Sequence, residues 1–546
     1  MTHKEHFAMS RTLRASLLGC ACLTAAAMPA ARAQSPGPAL RVDVAADRHP
    51  ISPDIYGMND NPWDPGLGHE LQVPVSRWGG DATTRYNWQV DASNAGGDWF
   101  FMAGGGDKAF TPGGGADAFV SKVKGVGGKA LLTIPVIDYI NSVPKNRWDC
   151  SFPVSLFGPQ KDHNPYVHPI VNGQRTDAGN GQRPDGSNIV LTKDQILRVH
   201  IPNTPAHQRA WLRHLIGRFG TAAHGGVTIY QMDNEPGGWA NTHRDVHPDA
   251  PTYPEIVDKT LPYARMVKQA DPTAQVDGPG DFGWAVYKGD PAKTGGLWNA
   301  EYYLKRFRDA SRQAGRRLLD YFDEHYYPVG QAGQSDAVRL ESTRSLWDPT
   351  YVEKDWIGQY GGAIRLIPRM HEWVNGYYPG TKLAITEYNW NLGGPQTVTD
   401  ALVEADVLGI FGRERLDLAT MWGPPRPDQP AAYAFRLYRN YDGRGGKYGS
   451  IWVRSASADQ GRLAVYGAQR RSDGALTLMV INKTGDDLTA PLTLSHFTPA
   501  AQAQVSRYSG TNLKAIVPQP AQPVTAAGFT ATYPANSITL VVIPKE

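Results

Sequence analysis

The chain has 546 residues, 41% hydrophobic content, a formal net charge of +3 and 3 cysteines. That length exceeds one ordinary domain and the apolar content suffices for a packed core, which excludes a disordered or fibrous protein. The near-neutral balance leaves no electrostatic claim on nucleic acid or on anionic membranes.

The N-terminus has the pattern of a secretory signal. Lys4, Arg11 and Arg14 precede an apolar stretch from 15 to 28, and Ala31-Arg32-Ala33 supplies the small-x-small cleavage pattern, so residues 1–33 are expected to be removed and the protein to be secreted or periplasmic. The apolar part is shorter than the ~20 residues a membrane-spanning helix needs. Residues 1–33 carry four basic side chains and one acidic one, so their loss takes the net charge from +3 to zero. Cys20 and Cys22 leave with the leader, and Cys150 alone makes no internal disulfide.

Leu40-Arg41-Val42-Asp43-Val44 alternates like a half-buried strand, with a second strand expected within Ile51 to Met58. Apolar runs then recur at Val73–Trp78, Lys129–Val136, Val227–Met232, Ala274–Gly278, Leu318–Tyr327, Leu383–Thr386 and Leu416–Trp422, with helical segments such as Tyr253–Gln269 and Asp400–Gly412 between them. Strand-helix alternation over this span predicts an α/β fold, a (β/α)8 TIM-like barrel. Seven runs leave the barrel one strand short, and Asp98–Met102 is the candidate for the eighth. Glu235 then follows the fourth strand and Glu387 lies at the end of the seventh. Ile137–Pro205 is polar and rich in Gly, Pro, Asn and His, an insertion suited to a cleft wall. Beyond Tyr448 the helical period gives way to short alternating strands, among them Arg462–Gln469, Leu476–Ile481 and Ser537–Ile543, which predict an additional all-β sandwich. The expected organisation is 1–33 signal peptide, 34–58 N-terminal strands joining the sandwich, 59–447 catalytic barrel and 448–546 C-terminal β-sandwich.

Two strings carry the chemistry. Gln231-Met232-Asp233-Asn234-Glu235-Pro236 and Ile385-Thr386-Glu387-Tyr388-Asn389-Trp390 each end a strand-like run with a glutamate. Carboxyl groups held at the C-terminal tips of two barrel strands are the minimum equipment for cleaving a glycosidic bond.

The blocks Trp78-Gly79-Gly80-Asp81-Ala82-Thr83-Thr84-Arg85-Tyr86-Asn87-Trp88, Asp91-Ala92-Ser93-Asn94-Ala95-Gly96, Asp233-Asn234-Glu235-Pro236, Thr386-Glu387-Tyr388-Asn389-Trp390 and Arg436 to Gly443 together resemble glycoside hydrolase family 44 over about residues 40–546. The resemblance implies a secreted, retaining endo-β-1,4-glucanase acting on xyloglucan and soluble cellulose derivatives, with Glu235 as acid/base and Glu387 as nucleophile. Asp81 departs from the asparagine expected there.

Further candidates follow from position. Asn234, beside the acid, is placed to bond a sugar 2-OH. His325 and Tyr327 end the sixth run, where a Tyr hydroxyl can hold the nucleophile ionised, and Arg77, at the end of the first run, can pair with Glu387. Trp422 ends the last run, and Trp78, Trp239 and Trp390 fall on mouth loops where indole faces stack on pyranoses. Histidines 163, 168, 200, 243 and 247 lie in loops without a metal-binding spacing. No cofactor is required for this chemistry, and the loop carboxylates leave room for a structural Ca2+. The expected partner is a β-1,4-glucan or xyloglucan, and the expected state is a monomer. Two alternatives stay open: another β-glycanase, a xylanase or mannanase, and an inactive carbohydrate-binding protein, although both catalytic carboxylates are present. An esterase would want a Gly-x-Ser-x-Gly elbow, which the chain lacks.

Overall fold

Inward residues on successive strands show how the molecule is assembled. In a computed structural model describing residues 34–60, 64–105, 109–165, 177–328, 334–354, 356–391 and 394–546, eight parallel strands close into a barrel. In chain order they are Gly57–Asn59, Val75–Trp78, Lys129–Ile134, Ile229–Met232, Gln275–Phe282, Tyr321–His325, Lys382–Tyr388 and Leu418–Met421. The proposed leader 1–33 and His168 lie outside the described residues.

The missing strand is Gly57–Asn59, paired with Leu418–Met421 on one side and Val75–Trp78 on the other. Three residues carry too little alternation to register as a strand. A Cβ on Gly57 would lie 2.5 Å from both the Ala419 carbonyl oxygen and Val75 Cγ1, so a glycine is needed for the barrel to close here. Asp98–Met102, the sequence-based candidate, instead spans a 3-10 turn at Gly96–Trp99 and enters Met102–Gly104. That strand sits between Trp148–Cys150 and Ser93–Asn94 in a small side sheet. Two corrections follow: the 34–58 boundary cuts into the first barrel strand, and Arg77 stands on the second strand. Glu235 still follows the fourth and Glu387 lies on the seventh.

Eleven further strands form one continuous sheet folded into two layers. Gln34–Pro36, Leu40–Asp43 and His49–Pro50 join it, so the N-terminus completes the sandwich. Leu476–Asn482 is buried at every position because both of its faces are covered. Leu476, Leu478 and Val480 enter the sandwich core. Met479 and Ile481 face the barrel side, where the helix Val398–Arg413, buried from Thr399 to Gly412, packs. Burial of each such aliphatic side chain stabilises the fold by about 1.5–3 kcal/mol.

The insertion after the third strand contributes Tyr139–Asn141, paired with His200–Pro202, and Phe152, Ile189 and Leu191, which form a satellite apolar cluster with Phe101. It has a small core of its own. Among the described residues no helix is long and apolar enough to cross a membrane.

Candidate active site

Along six of its strands the barrel interior changes character within two residues. Its lower layer is apolar: Val75, Leu131, Ile229, Tyr321, Ala384 and Leu418. Two residues on, at the same inward-facing parity, stand Arg77, Thr133, Gln231, Asp323, Thr386 and Thr420, all buried. This polar layer is hydrogen-bonded throughout. Gln231 Nε2 donates to Asp323 Oδ2 at 2.6 Å and to Thr386 Oγ1 at 2.9 Å. Asn59 Nδ2 donates to the carbonyls of Thr386 and Thr420 at 2.9 and 3.0 Å.

Arg77, with 0% exposure, is the hub. Its Nε donates to Gln231 Oε1 at 2.7 Å, Nη1 to Asn59 Oδ1 at 3.0 Å and to Glu387 Oε1 at 2.6 Å, and Nη2 to Asn234 Oδ1 at 2.6 Å. Gly79 makes room for it, since a Cβ there would come within 2.1 Å of the guanidinium carbon. A buried cation is tolerated because each branch meets an acceptor and Glu387 supplies the counter-charge.

Glu387 would face away from the barrel axis by simple alternation with Thr386. A register shift between Ile385 and Tyr388 relieves this by re-aiming the strand end, and the carboxylate enters the mouth. Tyr327 donates its hydroxyl to Glu387 Oε2 at 2.8 Å, opposite the Arg77 contact. Burial favours the neutral acid, but the charges of His325 and Arg77 and the hydrogen bonds from Arg77 and Tyr327 outweigh it and hold the Glu387 pKa below the usual carboxylate range.

Glu235 sits on a loop whose backbone is left-handed at both Asp233 (φ 70°) and Glu235 (φ 46°). Asp233 pins that loop: its carboxylate accepts from Thr84, from its neighbour Asn234 N at 2.8 Å, and from Val136 N and Ile137 N at 2.9 and 3.0 Å. Glu235 N donates to the Gly280 carbonyl at 2.9 Å. His325 Nδ1 lies 2.8 Å from Glu235 Oε1 and 3.7 Å from Glu387 Oε2. Burial, with a smaller push from the charge of Glu387, raises the Glu235 pKa even against the His325 contact. The two glutamates therefore occupy one mouth with opposite shifts.

The hydrogen-bond network fixes one of the two ring nitrogens of His325. Thr386 has one hydroxyl hydrogen and gives it to Asp323 at 2.5 Å, so it accepts from Gln231 and, at 3.1 Å, from His325 Nε2. Nε2 therefore carries a hydrogen, and at Nδ1, 2.8 Å from Glu235 Oε1, the ring donates when Glu235 is ionised and accepts when Glu235 shares its proton with it. Burial opposes a positive charge on the ring, and the charge of Glu387 with the hydrogen bond to Glu235 overcomes it, raising the His325 pKa.

Asn234 does not cap the following turn. Its Oδ1 accepts from Arg77 and from Gly80 N at 3.1 Å, and its Nδ2 donates to Asp81 Oδ1 at 2.8 Å. With the oxygen fixed by two donors, the second amide hydrogen stays available for a ligand. Burial, and then the charges of Glu235, Asp98 and Glu387, push the Asp81 pKa up to about 9, so this third carboxyl is neutral beside the pair. Sequence reasoning missed Asn59, Gln231 and Asp323, whose roles depend on a shared interior rather than on a motif.

Three of the four tryptophan candidates are structural. Trp239 is fully buried with its ring 5.3 Å from that of His247. Trp390 is buried and donates to Ser342 Oγ at 3.0 Å. Trp78 alternates with Arg77, faces outward and packs 4.9 Å from Tyr86. Trp422 remains at the mouth, its ring against Gly80. Exposed rings above the barrel include Trp99 and Phe282, at 40% and 39% exposure. Both flank the Pro236–Thr242 turn that follows Glu235: Phe282 meets Gly238, and the Gly96–Trp99 turn meets Trp239–Thr242.

His200 and His243 are buried around the Arg85–Asp245 ion pair, and His247 pairs with Glu255. Among the described residues, only Glu235, His325 and Glu387 place three donor atoms within 4.8 Å of one another. The guanidinium 2.6 Å from Glu387 already supplies positive charge there, and the same spacing is that of two carboxyl groups bridged by a histidine ring.

Comparison with known proteins agrees with this geometry. The family model described as glycoside hydrolase family 44 matches residues 92–330. The chain is 30% identical over 477 residues to Endoglucanase A of Paenibacillus lautus, covering 82% of this chain and 64% of that protein's length. The structure of CelM2, described as a bifunctional glucanase-xylanase from a metagenome library, superposes with a TM-score of 0.88 at 37% identity, over 94% of this chain and all (100%) of that one. A Paenibacillus polymyxa xyloglucanase of the same family, solved with xyloglucan, superposes with a TM-score of 0.76 at 27% identity, over 93% of this chain and 100% of that one. The chain belongs to glycoside hydrolase family 44.

Proposed function

We propose that this protein is a secreted, retaining endo-β-1,4-glucanase acting on xyloglucan and related soluble β-glucans. The observation that carries the reading is the carboxylate pair. An oxygen of Glu235 and an oxygen of Glu387 lie within 4.8 Å, bridged by His325, and the two groups have opposite pKa shifts. Retaining glycosidases hold their carboxyl groups about 5–5.5 Å apart, whereas inverting ones need roughly 6.5–9.5 Å to admit a water.

In the first step a Glu387 oxygen bonds to the anomeric carbon, the bond to the leaving oxygen breaks, and the proton of Glu235 moves to that oxygen. Arg77 and Tyr327 keep Glu387 ionised and aimed before attack. The glycosyl ester removes the Glu387 charge, which lowers the Glu235 pKa. Glu235 then takes a proton from water, the water oxygen bonds to the anomeric carbon, and the ester bond breaks to return Glu387. Asn234, with one amide hydrogen available, is suited to the sugar 2-OH, a contact that strengthens as the oxocarbenium-like state forms. No metal or organic cofactor enters these steps.

Internal cleavage is supported by the exposed Trp99 and Phe282 on either side of the acid loop, with Trp422 further round the mouth, an aromatic spread suited to several sugars of one chain. The viscosity of xyloglucan or carboxymethylcellulose, followed alongside reducing ends, is expected to collapse while few ends have appeared. A slow, proportionate fall with one small sugar released from the outset would overturn the endo reading. Xylan is a second candidate substrate, favoured by the likeness to the glucanase-xylanase CelM2. N-terminal sequencing of the exported protein is expected to begin at Gln34 if 1–33 is a leader.

A further inference from the structure

Alternation along the sandwich strands sends Val505, Val541 and Ile543 into an apolar interior. Toward one open end the same inward positions turn polar: Arg507 follows Val505 on one strand, and Thr539 precedes Val541 on the strand paired with it. The outer strands there are Asn512–Pro523, which ends one layer, and Gly528–Tyr533, which ends the other. Between them lies a cleft of about 150 Å³, with Val505, Phe529 and Val541 beneath and Arg507, Gln519 and Tyr533 among its polar lining.

Arg507 reaches across both layers. Its Nε donates to Thr539 Oγ1 at 3.2 Å, Nη1 to Gln519 Oε1 at 3.2 Å and Nη2 to the Thr532 carbonyl at 3.4 Å. All three acceptors are neutral, the contacts are long, and two of the five guanidinium hydrogens stay unassigned. Among the described residues Arg507 forms no ion pair with a carboxylate. Tyr533, 1% exposed, lines the same cleft with a hydroxyl that has no partner there. Arg77 and Arg85, the fully buried guanidinium groups of the barrel, each have their carboxylate. A half-buried guanidinium whose direct acceptors are all neutral has no carboxylate in contact, and burial draws the Arg507 pKa down against the weaker, longer-range charge of Asp487.

We infer that this cleft is a second carbohydrate-binding site, separate from the barrel mouth, which takes a pyranose bearing a carboxylate: a uronic-acid residue. The chemistry matches group by group. Phe529 and the two valines offer an apolar surface to the C–H face of a ring. Gln519 and the Tyr533 hydroxyl offer neutral donors and acceptors to ring hydroxyls. Arg507 supplies the charge-assisted fork that a carboxylate accepts. The volume falls well below the roughly 300 Å³ at which pockets for drug-sized ligands begin, so one ring enters rather than a chain. A neutral sugar would leave the guanidinium unpaired, and a bare anion would leave the apolar floor uncovered.

The site does not depend on the catalytic reading, because it is tested without turnover. Glucuronate, glucose and acetate are titrated by saturation-transfer NMR against the full chain carrying Glu387→Gln, with and without Arg507→Gln or Tyr533→Phe. Glucuronate is expected to bind saturably, with glucose and acetate at least about tenfold weaker and with Arg507→Gln costing about tenfold. Tyr533→Phe is expected to cost about threefold while keeping the melting temperature, which carries the test if Arg507→Gln fails to fold. Adding Glu235→Gln should leave glucuronate binding unchanged, since that residue is in the barrel mouth. Four results would overturn the proposal: no saturable glucuronate binding, glucose bound as tightly as glucuronate, acetate bound as tightly, or indifference to both sandwich variants.

Discussion

Along the barrel strands the inward residues run Val75 to Arg77, Ile229 to Gln231, and Tyr321 to Asp323 to His325, whereas along the sandwich strands they run Leu476 to Leu478 to Val480. Both interiors are built on the same two-residue period, and both are shielded from water. The sandwich interior is held by shape and contact, which tolerate small displacements. The barrel's upper interior is held by matched donors and acceptors, where a misplaced group leaves another unsatisfied. That is why the two carboxyl groups of the mouth rise from the polar interior: Arg77 cannot move without releasing Glu387 and Asn234 together.

This contrast predicts that barrel variants lose chemistry while sandwich variants lose stability. The largest effect is expected from Glu387→Gln, which cannot form the glycosyl ester: turnover should fall by on the order of 10³-fold or more with polysaccharide binding intact. Near-wild-type turnover would remove Glu387 from the mechanism. Glu235→Ala should slow natural substrates by about 10²–10⁴-fold but spare glycosylation by an aryl cellobioside with an acidic phenol. Added azide should then accelerate that variant and yield a β-glycosyl azide, and an α-linked product would point to inversion.

Tyr327→Phe is expected to lower kcat/KM by about tenfold and to reshape its pH profile. Glu387 must be ionised, so activity is lost as pH falls through its depressed pKa. Removing a hydrogen bond to the ionised form raises that pKa and moves the acidic limb upward. The basic limb, set by loss of the Glu235 proton as pH rises, should move less. A profile that falls uniformly without a limb shift would make Tyr327 a packing residue.

Leu478→Ala, in the sandwich, should cost about 2–5 kcal/mol of stability in a denaturant or thermal melt and leave kcat unchanged below the transition. A kcat change there would break the separation between the two interiors. The smallest effect is expected for Asp81→Asn. With its pKa at about 9 the Asp81 carboxyl is already neutral at pH 6, so kcat should stay within about threefold. The variant should also resist the loss of activity that ionisation of Asp81 adds as pH rises through 9.

The site was legible in part. Glu235 and Glu387 stood out because each ends a strong apolar run, and Arg77, His325 and Tyr327 because they end neighbouring runs. The tryptophans misled. At Trp78 the strand period turns the ring outward onto Tyr86, and Trp239 and Trp390 follow their strands into packed loops. Trp99 and Phe282 went unnoticed because exposure is set by neighbouring loops that the local sequence does not contain. The eighth strand was misplaced because Gly57–Asn59 is three residues long and its pairing partners lie at Val75–Trp78 and Leu418–Met421.

By itself, the sequence determined the alternation of strand and helix, the change to short strands beyond Tyr448, and the two glutamates at strand ends. Those are local properties, written in period and composition within a few residues. Only the tertiary structure decided that the two carboxyl groups differ in pKa, Glu235 raised and Glu387 lowered. Glu235 and Glu387 are the same side chain in the same mouth, and their difference comes from Arg77, Tyr327 and His325, which arrive from the second and sixth strands. A pKa is set by the charges and dipoles around a group in space, and barrel closure brings those groups together from positions up to 310 residues apart.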